Sequence, residues 1–228
     1  VAYEPLDPVV DMLAAVEDGA TKVHADTDSN VSFLWPFEAG DVDAAFDGAH
    51  TVVSRRFVNQ RLIPGAIEPR SVVVDPASAS GEVTVYSATQ VPHILRLMLA
   101  LTLSIPEQKV RVIAPDVGGG FGSKLNVYAE EVAMTAIARR LGKPLKWTAS
   151  RSEDIQATIH GRDQIQDIAI AADADGRIRG LKVDLLADMG AYLQLVTPGV
   201  PILGAFMFPS IYKMDAYHFA CRGVFTTK

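Results

Sequence analysis

Four glycines in five positions, Gly118-Gly119-Gly120-Phe121-Gly122, separate a short β-branched segment from a segment with helical spacing. Because glycine has no Cβ, such a loop accepts positive φ angles and lets backbone N–H groups approach a ligand closely. At the entrance of a helix, these N–H groups would also lie at the positive end of the peptide dipoles. The loop therefore indicates either a site for a phosphate, oxo or other anionic group, or a tight turn that only packs a helix on a strand.

Several binding functions are disfavoured by the sequence. The glycine stretch contains no Gly-x-x-x-x-Gly-Lys-Ser/Thr run, and Ser123 stands where a dinucleotide fingerprint would have its third glycine. The formal net charge of -6 argues against a nucleic-acid partner or an anionic membrane surface, since both require a basic patch. A single cysteine, Cys221, excludes an internal disulfide and a multi-cysteine zinc or iron–sulfur site within this sequence.

The sequence also predicts where the protein is found and that it is incomplete. The longest apolar stretches, such as Val91–Ile105, are too short and too charged to span a bilayer. The first residues lack the basic and apolar regions of a signal peptide, so a cytoplasmic protein without a membrane span is predicted. The chain starts on Val1 instead of Met and stops in a segment of strand character, Val224–Lys228, which predicts a piece of a longer polypeptide.

Strand and helix patterns alternate along the chain and predict an α+β fold of mixed sheets with packed helices. Residues 1–40, with a short helical pattern at Val9–Val16, are predicted to connect this chain to a preceding domain, and residues 41–228 to begin the next one. Helices are predicted from Asp41 as N-cap, from Pro92, from Val127 to a C-terminal cap at Gly142, and after Ser150. Strands are predicted at 51–62, 71–74, 82–88, 109–114, 145–149, 164–171 and 177–186.

The helix that starts at Pro92 is predicted to pack on the sheet. Its apolar residues recur three and four apart, which is the spacing of one helix face. The predicted core-facing residues are Ile94, Leu97, Met98, Leu101 and Ile105.

The segment Ala114–Lys124 is similar to the cofactor loop of the xanthine dehydrogenase and aldehyde oxidase family, the molybdenum hydroxylases. Gln90 precedes Phe121 by 31 residues, the same separation as in that family. The resemblance is closest to the large subunits of aerobic carbon monoxide dehydrogenases, where a Gly-Val-Tyr-Thr-Asn-Lys strand resembles Gly223–Lys228. Further matches are Glu68-Pro69-Arg70, Pro92-His93, Pro106-Glu107, Val110-Arg111-Val112, Glu130-Glu131, Lys143-Pro144-Leu145-Lys146-Trp147, His160-Gly161-Arg162-Asp163 and Ala187-Asp188-Met189-Gly190-Ala191-Tyr192.

The resemblance implies a molybdopterin cofactor, expected in the molybdopterin cytosine dinucleotide form. Gln90 is expected to donate its side-chain amide to the apical oxo ligand of molybdenum. Gly119, Gly120, Phe121 and Gly122 are expected to contact the cofactor, and Phe121 also to shape the pocket. Gln90 and Phe121 are thus the candidate catalytic residues, and residues 41–228 the N-terminal portion of the cofactor-binding domain.

The implied activity is oxidation of a small molecule, either an aldehyde, a heterocycle or CO, with water as the oxygen source. It would require the rest of the large subunit, with FeS and FAD on other subunits or domains, so the isolated piece is expected to be inactive. Purine-hydroxylating members carry an acidic residue where this chain has Leu125, which argues against xanthine. The family's catalytic glutamate and substrate-selecting loop lie beyond position 228. Two alternatives are a non-catalytic scaffold or assembly module of the same fold and a nucleotide-phosphate binder.

Ordinary structural roles are predicted for the other reactive side chains. Glu68 is expected to be a buried carboxylate paired with Arg70, and His160 to cap a loop. Cys221 is expected to act as a small hydrophobic residue in a strand. Surface or ion-pairing roles on a helix are predicted for Glu130 and Glu131.

Overall fold

The computed structural model describes residues 2–77 and 79–228, and these form two compact units. The insert unit is Leu62–Gly161, and the discontinuous unit consists of the chain up to Arg61 together with Arg162–Lys228. Each unit has its own mixed sheet and its own hydrophobic core. The α+β class predicted from the sequence is confirmed.

The helices and strands follow one another in mixed order along the chain. They are α1 (Met12–Ala15), β1 (Val31–Ala39), α2 (Val42–Asp47), β2 (Thr51–Asn59), β3 (Ser71–Ala77), β4 (Glu82–Ser87), α3 (Pro92–Thr102), a 3₁₀ turn (Glu107–Lys109), β5 (Val110–Ile113), α4 (Ala129–Leu141), β6 (Leu145–Thr148), α5 (Arg151–Ala157), β7 (Gln164–Ala172), β8 (Ile178–Asp188), α6 (Gly199–Met207) and β9 (Ala216–Val224).

The discontinuous unit is built on a five-stranded sheet in the order β1-β9-β8-β7-β2. Strands β8 and β9 are parallel, and the other neighbours are antiparallel. Val183, Phe219 and Cys221 are fully buried in its core. The predicted cap of α2 is confirmed, because the Asp41 side chain accepts a hydrogen bond from the Ala44 N–H at 3.0 Å.

The insert unit leaves and rejoins the discontinuous unit at one end of a strand pair. Asn59 of β2 lies opposite Gln164 of β7 in the antiparallel register. Just inside the insert, Leu62 and Gly161 exchange both of their backbone N–H to C=O hydrogen bonds at 2.9 Å. The first and last residues of the insert unit are therefore held side by side.

The insert unit contains a four-stranded sheet in the order β5-β4-β3-β6, against which α3 and α4 pack. Its core is mainly β-branched residues of β3 and β4 together with leucines of α3. Gly142 ends α4 with a left-handed φ of 62°, and Ser150 with Glu153 forms the capping box of α5, both as predicted.

Three structural expectations were wrong. Strand β1 lies within residues 1–40, where no strand was predicted, and the hydrogen bonds that hold it come from β9, far away in sequence. The final strand ends at Val224, so residues 225–228 are not part of it. On α3 the buried face is formed by Leu95, Leu99 and Ala100, whereas Leu97 and Leu101 are exposed. Of the predicted core residues, Ile105 just after the helix is buried.

The exposed face of α3 has the same spacing as the buried one, so periodicity could not distinguish the two. The domain boundary at residue 41 stays a prediction. It concerns the longer polypeptide.

The two faces of α3 give a direct test of the core assignment. Leu99→Ala removes a fully buried side chain and leaves a cavity, so we expect it to lower the free energy of unfolding by about 2–5 kcal/mol. Leu101→Ala, on the predicted but exposed face, should change it by less than about 0.5 kcal/mol. Urea denaturation of the two variants measures both values, and similar losses would contradict the assignment.

Candidate functional site

The glycine loop lies in the insert unit, between the end of β5 at Ile113 and the start of α4 at Ala129. Six residues separate Gly122 from that helix, so the loop is not at a helix entrance as the sequence analysis assumed. The peptide dipoles of α4 therefore contribute little here, because their effect is confined to the first turn. What the loop presents to a ligand comes from its own backbone and from the side chains that hold it.

Gln90 is bound to the far end of this loop. Its backbone N–H donates to the Lys124 carbonyl at 2.9 Å. Its side-chain Oε1 accepts hydrogen bonds from the Gly122 N–H at 3.1 Å and the Lys124 N–H at 3.3 Å. Because both neighbours are donors, they fix which end of the amide is oxygen. In the part of the chain that the structure describes, the Gln90 Nε2 group makes no hydrogen bond, so its two donors are available to a ligand.

The loop backbone depends on its glycines both for close contacts and for positive φ angles. A Cβ on Gly120 would lie 2.4 Å from Gln90 Oε1, so the close approach of the two segments depends on its absence. Gly122 has a φ of 90°, and a Cβ built on it would meet no atom within 4 Å, so this point of the loop borders open space. Gly119 also has a positive φ, of 96°.

Phe121 lies at the tip of the loop in an unusual state. It is a non-glycine residue with a φ of 52°, and 75% of its surface is exposed. A bulky side chain in this conformation is strained, and such strain persists only where surrounding contacts enforce it. An exposed aromatic ring held this way is a feature of ligand sites more than of folding cores.

Glu68 pairs with Lys124, not with Arg70 as predicted. Its Oε2 accepts hydrogen bonds from Lys124 Nζ and from the Gly118 N–H, both at 2.7 Å. Burial acts to raise the pKa of Glu68, but the hydrogen bonds from Lys124 and Gly118 and the lysine charge outweigh it and lower the pKa. Neither Glu68 nor Lys124 was predicted from the sequence to be part of the site.

Arg70 instead belongs to a buried group of residues behind the loop. Its guanidinium donates two hydrogen bonds to Glu130, both at 3.1 Å, and lies 3.8 Å from the ring centroid of Tyr128. The Tyr128 hydroxyl in turn donates to the Ser123 carbonyl of the loop. The ion-pairing role predicted for Glu130 is confirmed.

The remaining predictions have mixed outcomes. Glu131 is buried and not a surface group, since Ser87 and the Tyr128 N–H bind its carboxylate. Burial raises the pKa of Glu131, and those hydrogen bonds offset the effect only in part. His160 Nε2 is 2.8 Å from the Ile155 carbonyl, in line with a loop-capping role, and Cys221 lies buried in β9 as expected.

The described residues contain neither a helix suited to span a membrane nor a cluster of metal-ligating side chains. No helix in them is both long and apolar enough to cross a membrane. Residues 2–77 and 79–228 also contain no cluster of three or more His, Cys, Asp or Glu side chains placed to hold a metal ion.

The model of one protein family, the molybdopterin cofactor-binding domain, matches residues 23–228. The carbon monoxide dehydrogenase large chain of Hydrogenophaga pseudoflava is 33% identical over 242 aligned positions, which cover 100% of this chain and 30% of that one. The chain therefore spans about a third of the length of the curated relatives it matches.

Solved structures of related proteins have the same fold. Quinoline 2-oxidoreductase from Pseudomonas putida 86 superposes with a TM-score of 0.92 at 29% identity, covering 100% of this chain and 29% of that one. Reconstituted CO dehydrogenase from Oligotropha carboxidovorans gives a TM-score of 0.85 at 33% identity, with coverage of 100% and 30%.

The contact between Gly120 and Gln90 predicts the effect of adding a methyl group. Gly120→Ala should displace the Gln90 side chain and break its bonds to the Gly122 and Lys124 N–H groups, because the new Cβ would lie only 2.4 Å from Oε1. We expect these two amides to exchange with deuterium about tenfold faster. Gly161→Ala, whose Cβ would meet nothing within 4 Å, is the control. Unchanged exchange in Gly120→Ala would show that Gln90 does not hold the loop.

The buried thiol gives a second prediction. Burial raises the pKa of Cys221 to about 12, so the folded protein keeps the thiol protonated at pH 8 and iodoacetamide should not label it. In urea it should be labelled readily, because an unfolded cysteine has a pKa of about 8.5. Because the folded thiol has the higher pKa, the free energy of unfolding is unaffected by this group below about pH 8.5 and decreases as the pH rises from there towards 12. Rapid labelling without denaturant would contradict the burial.

Proposed function

Because the chain belongs to the family of molybdopterin cofactor-binding domains, we propose that it forms one wall of the cofactor site in a molybdenum hydroxylase-type oxidoreductase. The active protein would be a longer large subunit, since this chain covers about 30% of its carbon monoxide dehydrogenase relatives. By itself the chain would supply only some of the contacts to the cofactor, and it should not turn over substrate.

The observation that carries this proposal is the state of the Gln90 amide. Its oxygen is occupied by two backbone N–H groups of the glycine loop, so its Nε2 donors are left for a group outside the described residues. The free Nε2 group thus agrees with the family resemblance, which implies an amide donor at this position. Packing alone would not fix the direction of these donors, whereas the two hydrogen bonds to Oε1 do.

The glycine loop fits the same role. Gly120 brings the backbone against Gln90, and Gly122 leaves open space where a side chain would otherwise stand. We assign the backbone of Gly119, Gly120, Phe121 and Gly122 to cofactor contact. The exposed ring of Phe121, whose backbone is strained, would limit access to the site and exclude water from it.

When bound, the molybdenum cofactor supplies the redox chemistry, since it accepts two electrons from the substrate while water provides the oxygen. The part played by this chain is electrostatic and geometric. Gln90 would donate a hydrogen bond to the bound cofactor. Its amide is already oriented by the loop, so it need not reorient during the reaction. Phe121 and the loop backbone keep the cofactor in place beside it.

The finer assignments rest on the sequence and on its resemblance to the family. We propose the cytosine dinucleotide form of the cofactor, FeS and FAD on other subunits or domains, and a cytoplasmic location. Relatives named as a large chain and as a complex subunit gamma support a multi-subunit assembly. The substrate is proposed to be CO, an aldehyde or an aromatic heterocycle, and Leu125 argues against a purine.

Metal analysis of the full-length subunit, matured with its partners, tests the proposal. We expect about one molybdenum atom and one molybdopterin per molecule of the subunit. A protein that folds but contains neither would instead be a scaffold of the same fold. Binding of ADP or NAD in calorimetry, without molybdenum, would favour the nucleotide-phosphate alternative.

A conservative variant tests the role of Gln90 itself. Gln90→Glu keeps an oxygen for the Gly122 and Lys124 N–H groups but replaces the amide donor by an acceptor. We expect the cofactor content to stay near that of the unmodified enzyme and kcat to fall about 100-fold, a usual cost of losing one such donor. Gln108→Glu, on an exposed turn of the same unit, serves as the control. An unchanged kcat in Gln90→Glu would show that Gln90 is not a donor in the reaction.

A further inference from the structure

A single oxygen atom binds both ends of the segment Gly118–Lys124, which contains the glycine loop. Glu68 Oε2 accepts from the Gly118 N–H at the start of the loop and from Lys124 Nζ at its end, each at 2.7 Å. The Glu68 backbone N–H also donates to the Gly118 carbonyl at 3.1 Å. The loop from Gly118 to Lys124 is therefore closed at its base by one carboxylate.

The burial of Lys124 forces this pairing. Its side chain is 1% exposed, whereas that of Glu68 is 31% exposed. An ammonium group removed from water loses several kcal/mol of hydration unless a carboxylate compensates. Among the described residues, Glu68 is the one carboxylate within ion-pair distance of Lys124. The lysine charge thus keeps the carboxylate in position.

Lys124 also connects this pair with Gln90. Its carbonyl accepts from the Gln90 N–H, and its own N–H donates to Gln90 Oε1. The same residue therefore positions Glu68 through its side chain and Gln90 through its backbone. Between these anchor points lies Phe121 with its strained φ of 52°, a conformation that needs such fixed surroundings.

We propose that Glu68 and Lys124 are positioning residues that set the shape of the cofactor loop before the cofactor arrives. This inference rests on the proposed function of the loop. A loop that is ordered in advance loses less conformational freedom on binding, so the ion pair acts on cofactor retention without touching the cofactor.

The Arg70–Glu130 pair provides a matched control. Both pairs join a buried cation to a carboxylate of similar exposure, 31% for Glu68 and 32% for Glu130. In the described residues Glu130 binds Arg70 and makes no hydrogen bond to the loop from Gly118 to Lys124. Glu68→Gln and Glu130→Gln therefore remove comparable charges, of which one holds the loop.

The first experiment compares these variants in the full-length large subunit. In protein produced without cofactor, hydrogen exchange measured by mass spectrometry should be about tenfold faster at the Gly118 and Gly122 amides of Glu68→Gln, and unchanged there in Glu130→Gln. In protein matured with cofactor, the molybdopterin content of Glu68→Gln should fall severalfold, and that of Glu130→Gln should not. A loosened loop with normal cofactor content would overturn the inference, as would an unchanged loop.

The double variant Glu68→Gln/Lys124→Met separates positioning from a purely structural role. It removes the unpaired buried charge that Glu68→Gln creates, so thermal stability should recover relative to the single variant. The loop amides should still exchange fast, because nothing then orients the side chain at position 68. Recovery of loop protection together with stability would show that the pair only supports the fold. Absence of cofactor from the unmodified subunit would refute the proposed function and leave the exchange result intact.

Discussion

A buried ammonium group needs a carboxylate beside it, and the arrangement around Lys124 follows from this requirement. The charge draws the Glu68 carboxylate to the base of the glycine loop, and the same oxygen then binds the first residue of that loop. Gly118 is close enough for this only because it has no side chain, since a Cβ there would lie 2.6 Å from Glu68 Cβ. The ion pair can therefore bind the loop only where the loop has glycine.

The orientation of Gln90 follows from the same arrangement. Two backbone N–H groups facing one side-chain amide leave a single way for that amide to bind, with its oxygen toward the loop. The direction in which the Gln90 amide donors point is thus decided by these two main-chain N–H groups. The glycine loop can thereby orient Gln90 although Gly118–Gly122 carries no charged side chain.

Local signals in the sequence were sufficient for much of the fold. Asp41, Gly142 and the Ser150–Glu153 capping box act within a turn or two, so their patterns predicted the ends of three helices. The buried face of α3 could not be chosen, because two apolar stripes have the same period. Strand β1 and the Glu68–Lys124 pair depend on partners distant in sequence, and nothing local indicates such pairing. The site residues came from a family resemblance, whereas the contacts that hold them came from the structure.

The exchange of hydrogen bonds between Leu62 and Gly161 has an evolutionary consequence. A segment whose two ends are joined to each other can lengthen, shorten or diverge without changing the register of the strands that flank it, here Asn59 against Gln164. The glycine loop and its supporting ion pair lie wholly inside this segment. The insert unit, and with it the proposed cofactor site, can therefore change in sequence while the strands of the five-stranded sheet keep their pairing.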